Sequence, residues 1–215
     1  MTWVQTFGNC KQDLLAPKVT PARLLQEVPE ALGKIGRFSG NNQGAPYSVA
    51  QHCVMGADHL LYASTNGKLA AAAFLLHDAH EYVFGDFTTP AYEAIARRIG
   101  GIAGNEAEAA YRRAVVEQKA DLDILIHKAA GIKWPLDPCL AAEIKETDTR
   151  MLATERRWLL GPSPAPWHPA VEAAKPIRFT GKFSIWPWDR AADEYRQRLR
   201  RWCPAIATAW LDRAA

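Results

Sequence analysis

Cysteine is scarce and unpatterned. The four cysteines, Cys10, Cys53, Cys139 and Cys203, stand far apart, and none belongs to a Cys-x-x-Cys pair. That excludes a zinc ribbon and a disulfide-stapled scaffold, and fits a reducing cytosol. Long apolar sequence is also lacking: no run reaches the ~18 residues expected of a membrane-spanning helix. Met1 to Leu15 has no basic-then-apolar leader pattern. The expectation is a cytoplasmic protein with no membrane partner. Nor does charge of one sign dominate, since 26 Lys and Arg oppose 23 Asp and Glu for a net +3. The densest basic run, Arg196 to Arg201, alternates around a helix with Tyr195, Leu199 and Trp202, and reads as a solvated face. No clustered basic surface calls for a nucleic-acid partner. Repeats and low-complexity tracts are absent.

What is present suits one domain over residues 1–215. With 48% apolar and 23% charged residues, the chain can bury a substantial core. Thr2 to Phe7 alternates, Gly8-Asn9 turns, and the residues to Leu15 return, which predicts a hairpin. Thr20 and Pro21 open a helical pattern to Ile35 that Pro29 divides into two pieces. Gly36 to Pro46 reads as a loop. Ser48 caps a helix to about Ser64, and a further helix runs from Lys68 to Phe84. Pro90 begins another to about Ile99, and Gly100, Gly101 and Gly104 make a corner. Asn105 to Ala130 is a long helix with Ala109, Val116, Leu122 and Ile126 inward. Leu140 to Leu160 is helical, Arg178 to Trp188 extended, and Asp189 caps a last helix to Trp202. The fold class is therefore all-α, a helical bundle with short peripheral β segments.

The stretch that carries chemistry is Leu75-Leu76-His77-Asp78-Ala79-His80-Glu81. An adjacent His-Asp pair ending an apolar stripe is costly to bury unless something compensates it. A divalent cation does so, because it accepts neutral imidazole and carboxylate together. Glu81 follows His77 by four residues, hence on the same helical face. His52 and Asp148 bring one more imidazole and one more carboxylate from other helices. The mixed N/O set suits Mn²⁺, Co²⁺, Zn²⁺, Fe²⁺ or Mg²⁺, and such an ion lowers the pKa of bound water to roughly 7.

In this order, His52, His77-Asp78 and Asp148 resemble the H…HD…D signature of the HD-domain metal-dependent phosphohydrolases. Arg37-Phe38, Tyr47 to His52, His77 to Glu81 and Gly85-Asp86-Phe87-Thr88-Thr89-Pro90 resemble one branch, the 5'-deoxynucleotidases. They resemble equally the phage relatives that remove the whole triphosphate from deoxyadenosine triphosphate. The likeness spans about Thr20 to Leu160, with the N-terminal hairpin and the C-terminal helix as appendages. It implies that His52, His77, Asp78 and Asp148 hold one divalent metal ion, and that Asp78 and Glu81 steer protons. It further implies that Arg37 orients the phosphate of a deoxynucleotide. Phe38 would crowd the sugar where the pattern has Trp, and Asp86, Phe87, Thr88 and Thr89 would meet sugar and base.

Three functions follow as expectations. The first removes the 5' phosphate of a deoxynucleoside monophosphate. The second releases triphosphate from a deoxynucleoside triphosphate, with Lys34, Lys11 and Arg97 as candidates for the outer phosphates. The third is a non-catalytic nucleotide sensor, against which all four ligands and Glu81 are retained. Alarmone hydrolases carry a second acid where this chain has Tyr82. His59 reads as a partly exposed or hydrogen-bonded histidine, and His127 and His168 read as surface. The eight tryptophans, Trp210 among them, read as core and interface, consistent with a homo-oligomer, dimer or larger.

Overall fold

A computed structural model describes residues 1–180 and 183–208. Its regular structure is helical apart from one two-stranded antiparallel sheet, so the chain is all-α with a small β attachment. The sheet comes first. Strands β1 (Trp3–Thr6) and β2 (Cys10–Asp13) pair with Trp3 opposite Asp13, and Gly8 and Asn9 both take positive φ at the turn. Helix α1 (Pro21–Lys34) follows, its Thr20 cap accepting from the Arg23 N–H at 3.2 Å. It is one helix, not two pieces, although Pro29 lies inside it. Leu24, Val28 and Leu32 are all buried on one stripe. Burial on both sides of Pro29 offsets the one hydrogen bond that proline cannot donate.

Helix α2 (Val49–Ala63) sits at the centre. It packs against α1, α3 (Gly67–Leu76), α7 (Pro138–Leu159) and α9 (Trp188–Trp202). From Ala70 to Leu76, α3 is buried on every side, as expected of a helix apolar all round. Gly56 permits the closest crossing: a Cβ there would lie 2.1 Å from the Phe74 ring. That crossing brings His52 of α2 near the end of α3. Helix α9 belongs to the core and is no appendage. It buries Ala191, Ala192, Tyr195, Leu199 and Trp202, and the Tyr195 hydroxyl donates to the Leu75 carbonyl at 2.6 Å.

The helix predicted over Lys68 to Phe84 is broken. Residues 77–80 form turns between α3 and the one-turn α4 (Glu81–Phe84). Amide donors of His77, Ala79 and Glu81 reach back three residues, to Phe74, Leu76 and Asp78. Three-residue spacing eclipses side chains at i and i+3. Glu81 is therefore aligned with Asp78, where four-residue spacing would align it with His77.

Helices α5 (Thr89–Ala103) and α6 (Asn105–Ala130) form a hairpin about Gly104, whose φ is +86°. Gly100 and Gly101 lie inside α5 and make no corner. The 26 residues of α6 span about 39 Å. Leu122 and Ile126 are buried, while Ala109 and Val116, expected inside, are exposed. A short helix, α8 (Pro169–Ala173), was not foreseen. The segment 178–188 forms no strand among its described residues. Its backbone pairs instead with the Gln51 side chain, which donates to Ser184 O and accepts from Trp186 N–H. Trp202 is core, whereas Trp3, Trp158 and Trp188 are exposed and Trp210 lies outside the described residues. Among the described residues no helix is long and apolar enough to cross a membrane.

Candidate metal centre

Ser48 sets the first candidate ligand. Its hydroxyl accepts from the Gln51 N–H at 3.2 Å, starting α2 so that His52 falls one turn in, fully buried. His52 Nδ1 lies 2.6 Å from Glu155 Oε1 and donates to it. His77, at the end of α3, places Nδ1 2.6 Å from the Phe74 carbonyl, which can only accept. With both Nδ1 atoms donating, the two Nε2 atoms face the same point, 3.4 Å apart, and each can serve a cation once its proton leaves.

Two carboxylates complete the convergence. Asp78 Oδ2 is 3.2 Å from His77 Nε2 and 3.8 Å from His52 Nε2. Asp148 Oδ1 is 3.5 Å from His52 Nε2 and 3.7 Å from His77 Nε2. Donors held about 2.1 Å from one ion lie roughly 3.0–3.5 Å apart, so the donor chemistry and the shorter spacings fit a divalent cation, while the 3.7 and 3.8 Å pairs lie slightly wider. His52, His77 and Asp78 form a compact metal-capable trio; Asp148 stands outside that trio but approaches both of its imidazoles.

The electrostatics agree with that fit. Burial raises the Asp78 carboxyl, but His77, then His52 and Arg37, outweigh it and hold the group well below the carboxylate range. Asp148 is held down the same way, hydrogen bonds to His52 and His77 overcoming burial. Glu155 is lowered against its burial by His52 and Arg37. Three ionised carboxylates thus face one guanidinium. These carboxylates in turn raise His52 and His77, His77 well above the ordinary imidazole value; a divalent ion taking the place of their Nε2 protons would meet two net negative charges.

Arg37 is buried with its Nη1 3.3 Å from Asp78 Oδ2. Its Nε lies 3.2 Å from Glu155 Oε2, off the hydrogen-bonding direction, so both atoms lack a bonded partner. The loop after α1 is closed on itself to hold this arginine. Gly36 bridges Ser48, and the Arg37 N–H donates to Tyr47 O at 2.8 Å. Arg37 therefore points into the cluster and does not cap α1. Phe38 and Ser39 have φ of +57° and +51°, a strained pair for residues bearing Cβ. The Phe38 ring lies 5.9 Å from the Arg37 guanidinium carbon.

The 86–89 segment divides. Asp86 turns inward: the Phe38 N–H bonds to it, and Arg37 and Asp78 act on its charge. Phe87 is largely exposed, edge-on to Tyr92. Thr88 opens α5 and Thr89 is exposed in its first turn.

Glu81 is buried and its Oε2 has no hydrogen-bond partner. Burial, then Asp78 and Asp86, push its carboxyl up to about 9. Between the ordinary carboxyl pKa and that value the folded chain holds a proton the unfolded chain releases, so stability falls as pH rises. Glu81→Gln removes this slope. In chelator-stripped protein the melting temperature of the variant, compared with wild type, should gain more at pH 8 than at pH 5. An equal difference at both pH values would show that Glu81 is not held protonated.

Glu155 escaped the sequence reading. It lies seven residues after Asp148, two turns along the same face of α7, and that spacing was the available signal. His127 was misjudged as surface. It is buried against Trp134, 4.2 Å between ring centroids, with Nδ1 on Asp123 O. His168 is exposed and accepts from the Ala170 N–H, and His59 is part-buried beside Phe179. His80 sets Nδ1 3.0 Å from Asp123 Oδ1 and so ties the motif turn to α6.

No protein-family model matches the sequence. The chain is similar to an uncharacterized protein of Rhodobacter capsulatus, 29% identical over 168 residues and covering 76% of each chain.

Proposed function

We propose that this chain is a divalent-cation-dependent phosphohydrolase that removes the 5' phosphate of deoxynucleoside monophosphates. The observation that carries the reading is the convergence of His52, His77, Asp78 and Asp148 with Arg37 directly beside them. These are the residues that the HD-type resemblance implies, drawn together from three helices and a loop. A bound cation would polarise a phosphoryl oxygen and lower the pKa of the attacking water. Arg37, charged and buried, would orient the phosphate and offset charge on its oxygens. Glu81 is the unpartnered carboxyl aligned with Asp78, and would take the proton of that water once the charge of Asp78 is compensated. Asp86, raised by burial and by Asp78, would return a proton to the leaving oxygen.

The monophosphate is favoured over the triphosphate by where the spare cations lie. Lys34 Nζ stands 4.3 Å from the Trp188 ring and 3.3 Å from Glu30. Lys11 lies over Trp3 in the hairpin. Both already hold other partners, so neither is committed to an outer phosphate.

Product analysis tests the assignment. With Mn²⁺ or Co²⁺ the protein should release inorganic phosphate from dAMP. Triphosphate and deoxyadenosine from dATP would replace the monophosphatase by the triphosphohydrolase. No cation-dependent release from either would sink both.

A further inference from the structure

We propose that Glu155 is a positioning residue that sets the cation site and the phosphate-orienting arginine together. The proposal rests on reading the four-residue cluster as a cation site. Glu155 is 1% exposed, and its two oxygens divide their work. Oε1 accepts from His52 Nδ1 at 2.6 Å and from the Tyr47 hydroxyl at 2.9 Å. Oε2 faces Arg37 Nε at 3.2 Å. The first contact fixes the His52 tautomer, because an Nδ1 that must donate leaves Nε2 bare for a metal. The second places a negative charge against the guanidinium from behind, while Asp78 meets its Nη1 from the other side. Tyr47 reinforces both, its hydroxyl on Glu155 and its carbonyl on the Arg37 N–H. Helix α7 thus carries a ligand, Asp148, and two turns later the group that aims another ligand.

The chemistry demands a carboxylate. An amide in the same place could turn its oxygen to His52, and its NH₂ would then confront the Arg37 guanidinium. Turned the other way, its NH₂ would force His52 Nδ1 to accept and put the proton on Nε2, where the metal belongs. No orientation of Glu155→Gln satisfies both neighbours.

The test uses full-length, chelator-stripped protein with Mn²⁺ followed by calorimetry and Co²⁺ by visible absorption. Glu155→Gln should bind Mn²⁺ about 10–100-fold more weakly than wild type and shift the Co²⁺ spectrum. Tyr47→Phe, which keeps the carboxylate and removes one bond to it, should weaken Mn²⁺ binding less than Glu155→Gln does. If Glu155→Gln does not fold, Glu155→Asp provides the reading: it keeps the charge, withdraws it by one methylene, and should show the same weakening. A folded Glu155 variant with wild-type Mn²⁺ affinity and Co²⁺ spectrum overturns the proposal. A wild-type protein that binds no Mn²⁺ overturns the cation site itself, and Glu155's role with it.

Discussion

Asp78→Asn should lower cation-dependent phosphate release from dAMP by roughly four orders of magnitude while leaving the helical fold intact. Asp78 Oδ2 is the atom on which the centre converges: His77 Nε2 at 3.2 Å, Arg37 Nη1 at 3.3 Å and His52 Nε2 at 3.8 Å. Asparagine keeps the shape and removes the charge. One of the two negative charges left for a cation disappears, and the introduced amide must either turn its NH₂ towards Arg37 or occupy the metal direction with it. Several kcal/mol of transition-state stabilisation go with the ion, and each 1.36 kcal/mol is a factor of ten in rate, hence the figure of about 10⁴. The check is steady-state phosphate release with Mn²⁺, beside calorimetric Mn²⁺ binding and circular dichroism. A variant that keeps more than a small fraction of turnover would mean that Asp78 is not at the reacting centre.

The same residues show where a sequence can be read and where it cannot. Helix α2 was legible because Ser48 announces its start and the buried stripe Val49, Cys53, Gly56 and Leu60 repeats at helical spacing. Helix α6 was bounded by Gly104 and Gly131, both with positive φ, and its limits were found to the residue. Both signals are local. The inner face of α6 was not local: Ala109 and Val116 follow the pattern of Leu122 and Ile126, yet they are exposed, because periodicity does not say which turns a neighbour covers. Likewise, nothing between Leu75 and Phe84 announces that hydrogen bonds there reach back three residues. Apolar periodicity continues through the break, and only the tightened turn sets Glu81 over Asp78.

The four ligand candidates were legible for a different reason. Few histidines and acids stand on apolar helix faces, and their order along the chain resembles a known pattern. Glu155 has no such marker. Its partners, His52 and Tyr47, lie 103 and 108 residues away along the chain. A single acid two turns beyond Asp148 reads as solvated until both are seen beside it. Arg37 was half legible: its neighbourhood resembled a phosphate site, yet nothing in the sequence reveals that Asp78 and Glu155 hold it from two sides.

Arg37→Ala should therefore damage stability and turnover together, and a second substitution should separate the two. Removing the guanidinium leaves Glu155 buried without its cationic neighbour, and breaking a buried pair from one side costs about 3–5 kcal/mol. The pH dependence has a definite sign. In the wild type, His52, Arg37 and Tyr47 hold Glu155 low against burial, so its contribution is present above the ordinary carboxyl pKa and lost as pH falls through the lowered one. Without Arg37 burial gains weight and Glu155 moves up. The folded chain then keeps a proton that the unfolded chain releases, and stability falls as pH rises. Urea unfolding should show Arg37→Ala most destabilised near pH 8 and least near pH 5. A loss independent of pH would indicate that packing, not charge, accounts for it. Arg37→Lys restores a positive charge without the planar fork. It should recover much of the stability at pH 8 and still hydrolyse dAMP roughly 10²–10³-fold more slowly than wild type. The fold asks this position for a buried positive charge, the proposed phosphate site would ask it for two parallel donors, and the lysine variant supplies only the first.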